Sequence, residues 1–399
     1  MTPIRSHFIL KNLAGSFSLM KRKKRILILC PSPRDTAATQ RLKYEQYLGK
    51  LEESGYEFTI SSFQTARFWK IIYAPGRTIE KIFWTCFGYC RRTWDLLRSP
   101  FYDGIFVNLW VTPLGSPLFE RLLFLFNGNV IYDIDDMLFL NSKDSSRTSF
   151  FQKLKGRKKP VVMMKHSRYV ITCTPKLEQI ALETNKYKSA IDISSTFDTK
   201  RFVPVPGYTQ HEVATIGWTG THSTLPFLET LQPVLEEVSR RRKIRLLVIA
   251  NREYQMKNVP TEYVSWKKET EIQDLHRIEI GLYPIPANEW SLGKSSLKAL
   301  TYMAVGIPLV ATAYGTNFRV MQNGIEGFLA SNEKEWITRL VELIDNVQLR
   351  KKMGLAGRKR VEEQFSVLAN FEKYLHVFNT VTQTSEQEAV LTANLDNAK

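Results

Sequence analysis

Continuous apolar runs alternate along the chain with longer amphipathic stretches. The first run, residues 25–31, ends in a proline and precedes an amphipathic stretch at 39–54 and a second apolar run at 56–61. Apolar runs of this length are typical of parallel strands that are buried on both faces. The opening therefore predicts a βαβ unit, with the loop 31–38 at the carboxyl end of the first strand, where open α/β sheets bind ligands.

The same alternation continues and then restarts after a linker at residues 198–212. Strands alternating with helices predict doubly wound parallel sheets, here in two Rossmann-like domains in series. Further strands are predicted at 104–110, 129–134, 168–172, 213–219, 244–250, 263–264, 278–283, 307–311 and 327–329. Helices are predicted at 117–126, 175–183, 225–240, 295–305, 333–347 and 348–364.

Composition narrows the class of protein. The 399 residues are 43% hydrophobic and 24% charged, which fits a folded protein with sizeable cores. Lys and Arg outnumber Asp and Glu, 56 to 39, for a net charge of +17. This excess predicts an anionic partner, but it does not choose among nucleic acid, an acidic membrane and a phosphorylated substrate.

The four cysteines show neither a metal-binding spacing nor a disulfide framework, which predicts a reduced, cytoplasmic setting. Cys86 and Cys90 stand four residues apart, and we expect them to pack on one helix face. No signal peptide is evident, and no apolar run is long enough to predict a transmembrane helix. Met20 is an alternative start, with residues 1–24 as an extension before the first strand.

The segment 281–311 carries the clearest chemistry. A strand, a loop and a helix follow one another, and a helix amino terminus offers free N–H groups and partial positive charge to a phosphate. Lys294, Lys298 and Thr301 share one face of the predicted helix. Two lysines at this end oppose the helix dipole, and an anionic ligand offsets that cost. The alternative is a surface helix with two solvated lysines.

This segment resembles the donor-binding region of GT-B glycosyltransferases, in the large retaining family also described as glycosyl transferases group 1, or family 4. The resemblance rests on six motifs in order, over about residues 25–380. They are Pro113-Leu-Gly-Ser-Pro117, Tyr132-Asp-Ile-Asp-Asp136, Ile216-Gly-Trp-Thr-Gly-Thr-His222, the loop and helix 281–301, Tyr302-Met-Ala-Val-Gly-Ile-Pro-Leu-Val310 and Asn323-Gly-Ile-Glu-Gly-Phe328.

The resemblance implies a fold and a division of the chain. Two Rossmann-like doubly wound domains are expected to face each other across a cleft, with residues 25–200 binding the acceptor and 201–364 binding the nucleotide sugar. A crossover helix at 365–382 is expected to return to the first domain. The polar composition of the remaining residues, 383–399, predicts a disordered tail.

The resemblance also implies the donor site. The donor is expected to be a UDP- or GDP-sugar, with no cofactor and no metal, because cationic side chains and helix dipoles replace the metal in this family. The family's usual Arg and Lys pair near the phosphate loop is absent after Gly220, and we infer that Lys298 and Lys294 supply that charge to the diphosphate instead. Asp136 and Glu289 are the other candidate catalytic residues. The candidate donor-binding residues are Gly220, Thr221, His222, Arg252, Gly293, Ser295, Ser296 and Thr301.

The chain departs from the family at two glutamates that stand eight residues apart in most members. Gly293 and Thr301 occupy those positions by spacing. A threonine hydroxyl hydrogen-bonds a ribose more weakly than a carboxylate does. Glu289 lies four residues upstream and replaces the first glutamate if the loop folds back.

In the first domain, three aspartates end a predicted strand on the ligand side. Asp135 and Asp136 are candidates to contact an acceptor hydroxyl, while the alternatives are capping of the following turn or a DxD-like metal site. The GT-B resemblance argues against the metal. Arg41 is a candidate to bind an acceptor phosphate or the diphosphate, with a surface arginine as its alternative.

Residues 67–98 contain seven basic residues, two acids and eight aromatics. This composition suits an anionic membrane interface, and a second basic run at 153–159 adds to it. The alternatives are core helices with a solvated rim, or binding of single-stranded nucleic acid; we expect no nucleic acid.

Together these features predict a retaining, metal-independent glycosyltransferase with a lipid-linked or polysaccharide acceptor. It would act in cell-envelope polysaccharide or lipopolysaccharide synthesis, peripherally at the inner face of the cell membrane. A catalytically weak, nucleotide-binding or scaffolding subunit is the second hypothesis, favoured by the missing glutamates. A sugar-nucleotide epimerase of the same fold is the third.

Overall fold

A computed structural model describes residues 22–72, 74–137, 139 and 156–396, with side chains described to Gln383. Two six-stranded sheets, in which all pairings are parallel, form the two halves of this part of the chain. The first sheet has the order β2-β1-β3-β4-β5-β6 and the second β12-β11-β10-β7-β8-β9. We call these halves the N-domain and the C-domain.

The N-domain strands are β1 (Lys24–Cys30), β2 (Tyr56–Ser62), β3 (Gly104–Asn108), β4 (Val130–Asp133), β5 (Tyr169–Thr172) and β6 (Ala190–Asp192). The C-domain strands are β7 (Ala214–Gly220), β8 (Ile244–Ala250), β9 (Thr261–Ser265), β10 (Ile280–Tyr283), β11 (Leu309–Thr312) and β12 (Gly327–Ala330).

Helices cover the faces of both sheets. Those of the N-domain are α1 (Ala38–Arg41), α2 (Leu48–Glu53), α3 (Ala66–Ile71), α4 (Thr78–Arg98), α5 (Leu118–Phe126), α6 (Lys158–His166) and α7 (Pro175–Thr184). Those that follow are α8 (Leu225–Glu229), α9 (Gln232–Arg241), α10 (Glu271–Leu275), α11 (Leu297–Ala304), α12 (Asn317–Val320), α13 (Glu333–Asp345), α14 (Val347–Gln364) and α15 (Val367–Asp396). Short 3₁₀ helices lie at Tyr44–Tyr47, Ser99–Phe101, His222–Thr224 and Glu289–Gly293.

Alternation along the strands builds a core on each face of each sheet. In β1, Ile26 and Ile28 pack on one face while Leu27 and Leu29 pack on the other, and all four are fully buried. This two-sided burial explains why the strand is a continuous apolar run rather than an alternating one. The predicted fold class is confirmed: the chain has two doubly wound parallel domains.

The last helix returns to the N-domain, as the resemblance implied. The ring of Tyr374 stacks on that of Tyr47, with centroids 4.1 Å apart, and Phe378 stacks on Phe106. Helix α15 continues to Asp396 and so includes most of the segment for which polar composition predicts disorder.

Several helices differ from the predicted elements. The predicted helix 39–54 is divided into α1, a 3₁₀ helix and α2, and the predicted helix 225–240 is divided into α8 and α9. Pro233 lies in the first turn of α9, a position where a proline starts a helix without losing a hydrogen bond. Strand β6 and helices α3, α4, α6, α10 and α12 had no counterpart in the predicted elements. Residues 1–21, in the predicted extension, and 153–155, in the second basic run, lie outside the described residues.

Within the described residues, no helix is both long and apolar enough to span a bilayer. Cys86 and Cys90 are exposed on α4, so the expectation that these side chains pack is wrong. Their spacing does place them on one helix face, but that face points to solvent.

Candidate functional site

The candidate residues of the two domains meet where β4 of the N-domain ends against the loop before α11 of the C-domain. A Cβ atom built on Gly293 would lie 2.6 Å from Cγ of Met137. The Cys173 thiol donates to the carbonyl of Asp135 at 3.2 Å and lies 3.6 Å from that of Gly293. A side chain at 293 therefore has no room in this arrangement, which excludes a glutamate there unless the two loops separate.

Lys298 lies in the first turn of α11. Its Nζ atom donates to Oγ1 of Thr224 at 3.0 Å and lies 4.7 Å from the ring centroid of Trp218 and 5.9 Å from that of Tyr283. Among the described residues, no carboxylate forms an ion pair with it. Burial, reinforced by the charge of Lys294, lowers the pKa of Lys298 to about 7. A partly desolvated ammonium without a counterion is a strong candidate to bind an anion.

Lys294 has a different environment from Lys298. It is the extended residue after the 3₁₀ helix Glu289–Gly293, so it does not share a helix face with Lys298 as predicted. Its Nζ atom lies 2.6 Å from Oδ2 of Asp136, across the boundary between the domains, and 3.7 Å from the ring centroid of Trp290. The structure thus brings together Lys294 and Asp136, which the sequence assigned to different substrates.

The end of β7 supplies the loop beside Lys298. A Cβ atom on Gly220 would lie 2.4 Å from Cη2 of Trp218 and 2.9 Å from Oγ1 of Thr224, so only glycine fits there. The backbone N–H of His222 donates to Oδ1 of Asn251 at 2.8 Å, and the Thr221 hydroxyl lies 2.9 Å from that of Ser223. Arg252 follows Asn251 and is exposed at the end of β8.

The hydroxyl groups around α11 have internal partners. Ser296, at φ 56°, donates to Oδ1 of Asn317 at 2.7 Å and is buried. Thr301 donates to the carbonyl of Leu297 at 2.8 Å, which leaves its oxygen able to accept but uses its hydrogen. The Ser295 hydroxyl lies 3.4 Å from that of Ser195 in the N-domain, and Glu289 is exposed on the 3₁₀ helix.

Buried charge surrounds the aspartates at the end of β4. Asp133 forms an ion pair with Lys43 and accepts from Nδ2 of Asn108 at 3.0 Å, and both charged side chains are fully buried. Burial, with the charges of Asp133 and Asp136, raises the pKa of Asp135 to about 7. Oδ1 of Asp136 accepts from the backbone N–H of Met137 at 2.8 Å, so Asp136 binds the adjacent backbone as well as Lys294.

Arg41 does not face an open acceptor site, and this is a correction to the sequence analysis. Its two terminal nitrogens each donate to the carboxylate of Glu271 at 2.7 Å, and both side chains are buried. Arg201 donates to the same carboxylate at 3.0 Å, and Trp266 lies beneath the guanidinium of Arg41. Because Glu271 is 230 positions away in the chain, no local pattern around Arg41 could have revealed this partner.

Four ion pairs in all join the domains among the described residues. Besides Arg41–Glu271 and Asp136–Lys294, Lys268 lies 2.7 Å from Asp35, and Arg319 pairs with Asp192. None of these contacts could be predicted from spacing in the chain. Each joins a loop, helix end or strand end of the N-domain to the C-domain, so the domains are held in contact along the candidate site.

A cavity of about 430 Å³ lies elsewhere in the C-domain, lined by Thr215, Arg245, Glu279 and Arg350. These residues lie at or before the amino ends of the strands, or on α14. Ligands of open parallel sheets bind at the carboxyl ends, so this cavity is not the candidate site. Among the described residues there is also no group of three or more His, Cys, Asp or Glu side chains placed to hold a metal ion.

The two facing parallel domains, with a terminal helix returning to the first, define the GT-B fold of glycosyltransferases. Residues 214–346 match the family described as "Glycosyl transferases group 1", which supports a transferase. A similar protein is the capsular polysaccharide biosynthesis glycosyltransferase CapM of Staphylococcus aureus, which is 24% identical over 168 residues. That alignment spans 40% of this chain and 43% of CapM, less than half of either protein.

Solved structures share the whole fold at low identity. Sucrose-phosphate synthase from Thermosynechococcus elongatus superposes with a TM-score of 0.62 at 14% identity, over 93% of this chain and 100% of that one. Anabaena HepE, solved in complex with UDP and glucose, superposes with a TM-score of 0.60 at 13% identity, over 89% and 99%. At these identities the likeness establishes the fold.

Proposed function

We propose that this protein transfers a sugar from a UDP- or GDP-sugar to a lipid-linked or polysaccharide acceptor, with retention of configuration and without a metal ion or other cofactor. The observation that carries the proposal is Lys298, a partly buried ammonium without a counterion among the described residues, at the amino end of α11 and beside the glycine-containing loop after β7. HepE, of the same fold, was solved with UDP and glucose, and CapM is a glycosyltransferase of polysaccharide synthesis.

The proposed chemistry follows from where negative charge develops. The bond between the anomeric carbon and the diphosphate oxygen breaks, and its electron pair stays on that oxygen, next to Lys298 and Lys294. Two ammonium groups and the amino end of α11 supply the positive charge that a divalent cation supplies elsewhere. The acceptor oxygen bonds to the same face of that carbon and gives its proton to the departing diphosphate.

The N-domain is proposed to hold the acceptor. Asp135 and Asp136 lie at the carboxyl end of β4, across from α11, and their oxygens are suited to accept from a sugar hydroxyl. An acceptor held there is close to the proposed diphosphate site, because Asp136 itself contacts Lys294. Positioning two substrates in this way is the main contribution that a transferase makes besides charge stabilisation.

The exposed face of helix α4 is evidence for an acceptor at an anionic membrane surface. In this proposal that surface is the inner face of the cell membrane. Its buried side carries the ion pair Arg92–Asp95, whereas its exposed side is apolar, the reverse of an ordinary surface helix. The exposed apolar side chains recur at helical spacing: Ile79 (86% exposed), Ile82, Phe83, Phe87, Trp94 (61%) and Leu97.

Cationic side chains lie at one end and along one margin of this apolar face. Arg67 and Arg77 are more than half exposed near the start of α4, and Arg91 and Arg98 lie along one margin of the face. Leu125, 80% exposed on the neighbouring helix α5, extends the apolar surface. Apolar side chains with a basic margin are suited to the boundary between headgroups and acyl chains of anionic lipid. Self-association through this face is disfavoured, because a second copy of the protein would bring the same positive charges against it.

A binding panel tests the transferase proposal directly. Thermal unfolding of the purified protein is measured with UDP-, GDP- and ADP-sugars, and released nucleotide is then followed by mass spectrometry. We expect one class of sugar nucleotide to raise the melting temperature and to be turned over slowly, with water in place of the acceptor. The absence of both stabilisation and turnover across the panel would contradict the proposal.

One observation favours a second candidate function, a nucleotide-binding or scaffolding subunit with weak catalysis. The position that carries a glutamate in most members of the resembling family is Gly293, and Met137 fills the space beside it. Stabilisation by a sugar nucleotide without turnover, even when lipid-linked acceptors are added, would favour this candidate over an active transferase.

A further inference from the structure

Of the two lysines proposed to hold the diphosphate, one is already paired. Lys294 contacts Asp136 of the opposite domain at 2.6 Å, with 27% and 20% of the two side chains exposed. Lys298 lies close enough for the charge of Lys294 to act on it, yet it has no acidic partner among the described residues. The site therefore contains one cation without an acidic partner among the described residues and one cation paired with an aspartate of the N-domain.

We propose that Asp136 competes with the donor diphosphate for Lys294. Donor binding then frees the Asp136 carboxylate to accept a hydrogen bond from the hydroxyl group of the acceptor substrate. This inference rests on the proposed function, since it requires a diphosphate at Lys298. It makes the donor the first substrate to bind, because Asp136 is neutralised by Lys294 until the donor arrives.

The contacts of each partner decide which of them moves. Asp136 is fixed, because its other oxygen accepts from the backbone N–H of Met137 at 2.8 Å. Lys294 has a long flexible side chain on an extended residue and rests on the ring of Trp290. The ammonium therefore swings to the diphosphate, while the carboxylate stays in place for the acceptor.

Charge provides the driving force for the exchange. A diphosphate carries more negative charge and more acceptor oxygens than one carboxylate, and Lys298 already contributes to binding it. The charge of Asp136 opposes the donor in two ways, by occupying Lys294 and by repelling the diphosphate. Removing that charge should therefore strengthen donor binding, whereas a residue that only contacts the acceptor would leave donor binding unchanged.

The test compares Asp136→Asn with Asp35→Asn, which removes the charge from another ion pair between the domains, Asp35–Lys268. Binding of UDP, GDP and inorganic pyrophosphate is measured by calorimetry, with thermal unfolding as the check on folding. We expect Asp136→Asn to bind the nucleotide about fivefold more tightly than the wild type and Asp35→Asn to stay within about twofold. Transfer by Asp136→Asn should nevertheless fall, because the acceptor contact is weakened.

A double-mutant cycle separates competition from a structural effect. In a Lys294→Met background, Asp136→Asn should tighten nucleotide binding less than it does in the wild-type background, since no ammonium remains to be freed and only the repulsion is relieved. Equal tightening in Asp136→Asn and Asp35→Asn would show that looser domain contact is responsible, and would overturn the inference. Unchanged or weaker binding in Asp136→Asn would overturn it as well. If the wild type and all variants bind none of the probes, the donor site and the proposed function fail together.

Discussion

Lys298 and Trp218 form a cation–π pair beside the loop that ends β7, with the ammonium nitrogen 4.7 Å from the ring centroid. Trp218 is fully buried in β7, so the sheet holds the ring that positions the lysine. A Cβ atom on Gly220 would collide with the same indole, which links the glycine of the loop to the position of the cation. The pair connects the framework of the C-domain to the proposed donor site.

Replacing Lys298 with alanine should weaken binding of the sugar nucleotide about tenfold or more, because a charge-assisted contact to phosphate is lost. The measurement is the dissociation constant of the sugar nucleotide found in the binding panel, together with its turnover. Lys359→Ala is the matched control, since Lys359 is 74% exposed on α14. If the affinity and the turnover of Lys298→Ala both stay within about twofold of the wild type, Lys298 does not bind the donor.

The same lysine should make the protein less stable at neutral pH. The pKa of Lys298 is lowered from 10.5 to about 7 by burial and Lys294, so the unfolded chain binds more protons than the folded one between these values. Stability contributed by the neutral amine is present at high pH and is lost as pH falls toward 7. Lys298→Met should therefore raise the melting temperature at pH 7, and a lower melting temperature would contradict the assigned environment.

Donor binding should take up a proton above pH 7. The diphosphate favours the charged ammonium and so raises the pKa of Lys298 in the complex. Calorimetric titrations of a sugar nucleotide at pH 8, in two buffers of different ionisation enthalpy, measure the uptake. We expect the observed enthalpy to depend on the buffer in the wild type and much less in Lys298→Met; the same dependence in both proteins would assign the proton to another group.

Arg41→Ala should destabilise the protein by about 2 kcal/mol, because the buried carboxylate of Glu271 loses its bidentate partner and keeps only Arg201 as a cation. Urea unfolding measures this change. Because Arg41 joins the domains rather than facing the acceptor, the double variant Arg41→Met with Glu271→Met should recover part of the loss. A stable Arg41→Ala protein with impaired transfer would restore the substrate-binding role that the sequence suggested.

Binding to anionic vesicles should depend on the exposed face of α4. Replacing both Phe83 and Trp94 with glutamate should reduce vesicle affinity more than about tenfold, since two apolar side chains can no longer be buried and two negative charges are added. Flotation with phosphatidylglycerol vesicles at physiological salt is the measurement. Leu355→Glu is the control, because Leu355 is a half-exposed apolar residue on a C-domain helix. Equal flotation of the wild type and the Phe83/Trp94 double variant would show that α4 does not contact the membrane.

Much of the fold follows from local pattern. The apolar runs that became β1, β8 and β11 are buried on both faces, and burial of this kind leaves a continuous signal in the chain. Strand β6, with three half-buried residues, has no such run and was missed. Helix α4 shows another limit of local pattern: many of its apolar side chains are exposed while Arg92 and Asp95 are buried, so its pattern does not indicate which face packs against the domain.

Local sequence was sufficient to predict the two-domain architecture, the loops at the strand ends and the lysines near the start of α11, because each depends on residues close together in the chain. Tertiary structure alone decided which charges remain available. Lys294 is paired with Asp136, 158 positions away, Arg41 with Glu271, and Lys298 with no carboxylate among the described residues. Pairing of charges depends on distances in space, which spacing in the chain does not contain. For that reason Lys298 and Lys294, equivalent by sequence, have different roles in the folded protein.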